Sequence, residues 1–303
     1  MGVHRVRDDL FLVDLDLPLE GFRRFVSAWV WTRGREAAVV DPGPASTIPA
    51  LLQALHRMGI VRVPAVLLTH IHLDHGGGTG ALVAHHPEAR VWCHPRAAPH
   101  LADPGRLWEG SRKVLGRVAE AYGEPLPVPP QRLVCEPTLE IHGTRVEALD
   151  TPGHAPHHLC FRAGGVLFAG ELAGVHLALD GQAYRRPATP PVFRHDVFRR
   201  SILRAADAGA DLLCLGHYGT AQDPRKALTD ALEQMDLWVS TVEEVLEAEP
   251  EGWEERALAE LALRDAAFAR FHRLPEDIRA RERFFCRNTL LGIRGFVQGH
   301  GGR

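Results

Sequence analysis

The chain has 303 residues, with 35 basic against 38 acidic side chains and a formal net charge of −3, which argues against a general nucleic-acid or membrane-surface binder. A hydrophobic share of 45% and a charged share of 24% fit an ordinary globular protein and exclude a disordered one. Histidine is abundant, at 18, while the 5 cysteines (Cys93, Cys135, Cys160, Cys214 and Cys286) are far apart in sequence and form no C-x-x-C, so neither a disulfide framework nor a thiolate zinc site is expected.

The N-terminus carries acids and no long apolar core, and no apolar run reaches the roughly 18 residues of a membrane span, so a cytoplasmic protein with no membrane contact is expected. Short apolar runs at Val3–Val6, Leu10–Leu15, Phe25–Trp31 and Ala37–Val40 predict four successive strands. Trp29 and Trp31 alternate there and share one face. Asp41-Pro-Gly-Pro then breaks the chain, and Ile48, Leu51, Leu52, Leu55 and Met58 mark one face of a helix. Ala65–Thr69 reads as a strand buried on both faces, and Gly76-Gly-Gly opens a helix at about Thr79–His85. Val91–Cys93 resumes a strand, and Pro95 to Tyr122 is helical. A second strand series follows at Arg132–Val134, Arg145–Leu149, His158–Arg162 and Val166–Ala169. Gly174 to Val192, rich in Pro, Gly and aromatics, reads as a loop or lid; Asp196–Ala208 is helical and Asp211–Leu215 is a final buried strand. From Asp223-Pro224, a helix start, the apolar seam Leu228, Leu232, Met235, Val239, Val242, Leu246 begins a helical region with breaks at Pro250 and Pro275. The expected organisation is an α/β body over residues 1–222 and a helical C-terminal extension over 223–303.

The sharpest feature is His70-Ile-His-Leu-Asp-His75, placed between the buried strand and the glycines. His70 and His72, two apart in extended chain, project to the same side, while Asp74 and His75 follow the turn and face a second point. One short segment can thus serve two adjacent metal ions, and imidazole with carboxylate suits zinc, iron or manganese. His154 in Thr151-Pro-Gly-His and His217 in Leu215-Gly-His also follow predicted strands, where they can complete the ligand set.

The H-x-H-x-D-H segment, the T-P-G-H and the late G-H, in this order, resemble the metallo-β-lactamase-fold hydrolase superfamily. Thr151-Pro-Gly-His-Ala-Pro-His-His and Leu167-Phe-Ala-Gly-Glu are most similar to its glyoxalase-II-like branch. The resemblance implies a four-layer αββα sandwich with two divalent ions, zinc first and manganese or iron as alternatives. It implies that His70, His72 and His154 hold one metal, and Asp74, His75 and His217 the other. Where the family carries a bridging Asp, this chain has Glu171. Three roles are open to that longer carboxylate: bridging both metals, ligating one, or orienting a ligating imidazole.

The implied reaction is hydrolysis of a small-molecule ester, thioester or lactone by water whose pKa the metal lowers, with Asp74 orienting that water and taking its proton. The same fold hosts mononuclear iron persulfide dioxygenases and nucleases or phosphodiesterases, which stand as alternatives; the charge balance disfavours nucleic acid. β-Lactam hydrolysis is disfavoured because no export signal is seen. His176, Tyr184 and Arg185 (with Arg186) in the Gly174–Val192 segment, and Tyr218 beside His217, are the candidate substrate-binding residues. His158 reads as scaffold at a strand start, His195 as a helix-terminus residue, and His157 is open. The C-terminal helices are expected to cover the site, to form a homodimer seam, or simply to close the fold.

Overall fold

The computed structural model describes residues 2–179 and 181–299. Strands β1 (Val3–Arg5), β2 (Leu10–Asp14), β3 (Ser27–Arg33) and β4 (Glu36–Val40) form an antiparallel meander. Helix α1 (Ile48–Arg57) then leads to β5 (Arg62–Leu67), and α2 (Leu73–Gly76) and α3 (Thr79–His85) lead to β6 (Arg90–Trp92). Helices α4 (Ala98–Ala102), α5 (Gly105–Leu115) and α6 (Arg117–Tyr122) precede β7 (Leu133–Val134). Strands β4 to β7 run parallel, closing a seven-stranded sheet in chain order.

The second sheet has six strands: β8 (Thr138–Ile141), β9 (Thr144–Asp150), β10 (Leu159–Ala163) and β11 (Val166–Phe168), then, after β12 (Val175–Leu179), β13 (Gln182–Arg186) and α7 (His195–Ala206), β14 (Leu212–Cys214) and β15 (Thr220–Ala221). β14 pairs parallel to β11. Helices α8 (Pro224–Ala248), α9 (Trp253–Arg264) and α10 (Glu276–Val297) complete the chain. None of the described helices is long and apolar enough to cross a membrane.

Period-2 alternation sorts side chains into three cores, and these are the three interfaces of a four-layer αββα stack. On β4, Ala37 and Val39 face α1 and its neighbours, while Ala38 and Val40 face the other sheet. On β10 and β11, Phe161 and Phe168 fill the space between the sheets, and Cys160 and Leu167 face the outer helices. The C-terminal helices contribute Leu228, Trp238, Leu261 and Leu290 to that last core, so they share a hydrophobic layer with the second sheet.

The structure corrects one expectation and adds two features that the sequence reading lacks. Gly174–Val192 is not an irregular loop: β12 and β13 pair as an antiparallel hairpin, apart from Asp180, which lies outside the described residues. Its alternation is masked by turn-forming and charged residues. Strand β8 escapes notice because Thr-Leu-Glu-Ile is a short edge strand with one buried residue. Cys93 and Cys135, far apart in sequence, are brought together because β6 and β7 run in register, Trp92 beside Val134.

Candidate metal centre

The site is assembled from turns at the ends of strands, and each donor has a local reason for its position. After β5 the chain bends at Thr69 and runs to His72, which caps α2; the Gly76 and His75 amides donate to the His72 carbonyl at 2.8 and 3.0 Å. Asp41, directly after β4, accepts from the Thr69 amide at 2.8 Å and the Thr69 hydroxyl at 2.7 Å. With the Thr69 proton committed to Asp41, His70 Nδ1–H donates to Thr69 Oγ1 at 3.0 Å, leaving the His70 Nε2 lone pair buried and without a partner. His154 Nδ1–H donates to the Ala188 carbonyl at 2.8 Å, and His217 Nδ1–H to the Phe25 carbonyl at 2.9 Å. Both tautomers therefore present Nε2 to the site.

Glu171 follows β11 through Gly170, whose φ of +51° is a left-handed conformation and where a Cβ would sit 2.4 Å from His158 Nε2. The Glu171 amide donates to His158 Nε2 at 3.2 Å, and His158 Nδ1–H donates to Thr151 Oγ1 at 3.0 Å. His158 is thus a scaffold that fixes the Glu171 backbone. Gly216 is equally constrained: a Cβ there would meet the Gly170 backbone at 2.7 Å.

Two donor sets result. His70, His72 and His154 place one ligand atom each within 4.8 Å of one another, and so do Asp74, His75, Glu171 and His217. Glu171 Oε1 lies between the sets, 2.7 Å from His217 Nε2, 3.2 Å from His75 Nε2 and 4.0 Å from His154 Nε2. Asp74 Oδ2 is 3.6 Å from His75 Nε2 and 3.7 Å from His217 Nε2.

The electrostatics of the two sets differ. Burial, then the neighbouring imidazoles, hold His70 and His72 well below the usual histidine range; burial also lowers His154, against the pull of Glu171. All three are neutral, as metal ligation requires. Burial likewise pulls His75 down, but Asp74, Asp41 and Glu171 outweigh it and raise its pKa well above the ordinary value. Burial pushes the Glu171 carboxyl up, and His217 with His154 and His75 reverse that, leaving it ionised well below the usual range.

These residues fit divalent metal ions. Orphaned buried atoms such as His70 Nε2 and Glu171 Oε2 need a partner, and His72 Nδ1 and His154 Nε2 converge to 2.9 Å with the other His154 nitrogen already donating. An imidazole set beside a carboxylate-rich set, with no thiolate, suits zinc, manganese or iron.

A cavity of about 240 Å³ opens on the donors. Leu115 of α5, Tyr122 of α6, the segment after β13 at Pro190, and Phe285 and Asn288 of α10 form its walls. Helix α10 therefore covers the site, while the C-terminal helices together also close the layer over the second sheet.

Of the candidate substrate residues, Arg186 lines the cavity and the other four do not, each for a reason of its own. His176 Nε2–H donates to the Ala173 carbonyl at 2.9 Å, Tyr184 donates to Glu282 at 3.2 Å, and Arg185 pairs with Asp230 at 3.1 Å. Tyr218 contacts His4 at 3.4 Å, and none of the four lines the cavity. Tyr184 and Arg186, two apart on β13, share one face and both reach Glu282, Tyr184 within the helical core and Arg186 at the cavity wall, while Arg185 between them turns to Asp230. His195 pairs with Asp236 at 2.6 Å, and the His157 ring stands 6.1 Å from His72, its pKa lowered by burial to about 4. Sequence reasoning missed Asp41, which the rule of polar residues at strand ends could have found. It also missed Tyr122, Phe285 and Asn288, which carry no local signal.

The family model described as the metallo-beta-lactamase superfamily matches residues 21–217. A hydroxyacylglutathione hydrolase of Aeromonas hydrophila is 29% identical over 143 residues, covering 47% of this chain and 44% of that protein. The chain thus matches less than half the length of that relative. A metallo-beta-lactamase fold-containing protein of Sulfurisphaera tokodaii is 26% identical, over 72% of this chain and 81% of its own length. Among solved structures, a metallo-beta-lactamase family protein from Thermus thermophilus has a TM-score of 0.66 at 23% identity, covering 97% of this chain and 95% of that one.

Proposed function

The chain belongs to the metallo-beta-lactamase superfamily, and on that premise we propose that it is a metal-dependent hydrolase of a small-molecule ester, thioester or lactone. The observation that carries this reading is one carboxylate, Glu171, set between an all-imidazole donor set and a carboxylate-rich one at the floor of a cavity. His70, His72 and His154 would hold one ion and Asp74, His75 and His217 the other, with Glu171 bridging. When bound, the metals would supply Lewis acidity and activation of water at neutral pH. The hydroxyacylglutathione hydrolases among the relatives support thioester chemistry.

The chain's own residues have separable tasks. Thr69, Ala188 and Phe25 fix the imidazole tautomers, so the donors are oriented before any ligand arrives. Asp74 orients the attacking water and takes one of its protons on a carboxylate oxygen. The acyl carbon gains the water oxygen, its bond to the leaving oxygen or sulfur breaks, and the proton held by Asp74 passes to that leaving atom. Leu73, Leu115 and Phe285 exclude bulk water from the cavity.

The test is turnover of aryl esters, thioesters and lactones after zinc or manganese loading, with a metal count. Two ions per chain and activity abolished in His72→Ala are expected. Fully loaded protein inert on every class overturns the reading, and one iron per chain with oxygen uptake on a thiol persulfide replaces it with a dioxygenase.

A further inference from the structure

The polar side chains that line the cavity but belong to neither donor set divide sharply. Arg186 is the only Lys or Arg among the described lining residues, and its charge is paired: Nε donates to Glu282 at 2.5 Å and a second nitrogen to the Pro187 carbonyl at 3.0 Å. Thr189 donates to the Thr289 carbonyl and Thr289 to the Pro187 carbonyl. Tyr122, Ser111 and Asn288 are left, and all three are neutral. The rest of the wall is apolar, including Phe25, Leu73, Leu115, Val175 and Phe285.

Tyr122 differs from Ser111 and Asn288 because it is only 1% exposed and its hydroxyl is buried with no hydrogen-bond partner. A buried unpaired hydroxyl is destabilising, and such groups persist where a ligand or ordered water completes them. The ring makes an edge contact with Phe22 at 6.4 Å and lines the cavity. Burial and the nearby Asp74 keep it protonated, so toward a carbonyl it acts only as a donor.

We infer that this cavity takes an uncharged ester, thioester or lactone with an apolar acyl chain, and that the Tyr122 hydroxyl donates the hydrogen bond that holds its polar end. The inference rests on the hydrolase reading above and deepens it. A substrate carried on an anionic group, such as a glutathione or nucleotide thioester, would need an unpaired cation, and the lining offers none among the described residues. An acyl chain instead finds Phe25, Leu73, Leu115, Val175 and Phe285, whose burial against it rewards each added methylene. Tyr122 donates a hydrogen bond and transfers no proton, so it assists by orientation and by partial stabilisation of negative charge on the acyl oxygen.

The experiment uses the metal-loaded full chain. Neutral alkyl thioesters from acetyl to decanoyl are compared with the same acyl groups on glutathione. The expected kcat/KM rises roughly threefold per added methylene until the cavity is filled, with the neutral series preferred. Tyr122→Phe is expected to lower kcat about tenfold at unchanged metal content, while Tm stays or rises because an unpaired buried hydroxyl is gone. A purely structural tyrosine would show the reverse, a lowered Tm with kcat kept. Asn288→Arg, which adds a free cation to the wall, is expected to move the preference toward the glutathione series. A flat chain-length series, a preference for glutathione thioesters in the unaltered protein, or unchanged kcat in Tyr122→Phe overturns the inference. Loaded protein inert on every substrate overturns the hydrolase reading instead. The cavity assignment then stands or falls on whether methyl nonyl ketone, a neutral analogue that cannot be hydrolysed, raises Tm.

Discussion

The strand ends of the α/β body and the C-terminal helices meet at the same cavity with opposite chemistry. The body brings every candidate metal donor, seven side chains from four separate turns, three of the imidazoles held by a partner outside the donor sets. The C-terminal helix α10 brings none of these donors; it brings the wall, through Phe285, Asn288 and Thr289. Two of its charges are buried, where Glu282 takes Arg281 and Arg186 together. The difference teaches that the donors come from the body alone whereas the wall is shared between the body and α10, so substitutions at the donors and on the α10 wall should fail in different ways.

The largest expected effect is on the body side. Glu171→Ala removes the carboxylate between the two donor sets, and kcat should fall on the order of a thousandfold, about 4 kcal/mol in the barrier. Metal per chain should fall with it, read by elemental count, while Tm changes less than activity. If the variant kept both ions and its kcat, the body would not be the seat of the chemistry.

Glu282→Gln attacks the other side. Burial pushes the Glu282 carboxyl up, but Arg186 and Arg281 outweigh burial and hold it below the usual range. Breaking such a buried cluster should cost about 3 kcal/mol, read by denaturant unfolding at neutral pH. Because the folded pKa is depressed, this stabilisation is complete above the ordinary glutamate value and is lost as pH falls through the folded one. Wild type and variant should therefore converge in acid. Metal bound at neutral pH should survive the substitution, which separates it from Glu171→Ala.

Phe285→Ala is smaller and more diagnostic. It trims the wall without touching a donor, so KM for an apolar substrate should rise about tenfold with kcat nearly kept. An equal fall in kcat would mean that α10 takes part in the chemistry and would erase the distinction.

The same distinction explains which parts of the molecule are legible in the amino-acid sequence. The donors lie in runs whose order and strand-end placement carry the meaning: His70 to His75 in six residues, then His154 and His217, each just past an apolar run. The outward and inward faces of β4 and β10 follow from alternation alone. The cavity wall has no such signature. Tyr122, Phe285 and Asn288 belong to amphipathic helices, and only the packing of α6 and α10 over the strand ends makes them neighbours of Asp74. Nearness in sequence misled in turn: Tyr184 and Arg185 follow Glu171 closely, but the β12–β13 hairpin turns them toward Glu282 and Asp230.

The two regions are joined at Phe25, and there the smallest effect is expected. One face of its ring stacks on His217 with centroids 4.3 Å apart and planes at 22°. The Arg281 guanidinium lies 4.1 Å from the same ring, and the Phe25 carbonyl accepts from His217 Nδ1. A residue of the C-terminal helix thus reaches a donor through one aromatic ring. Phe25→Leu keeps the carbonyl and removes the stack, so it should cost about 1 kcal/mol of stability and a few-fold in affinity for the ion that His217 would hold. The informative measurement is a double-mutant cycle with Arg281→Met, read as metal affinity. Coupling of about 1 kcal/mol means that the C-terminal helix tunes the imidazole through the ring. Strict additivity means that the wall and the donors share a cavity and nothing more.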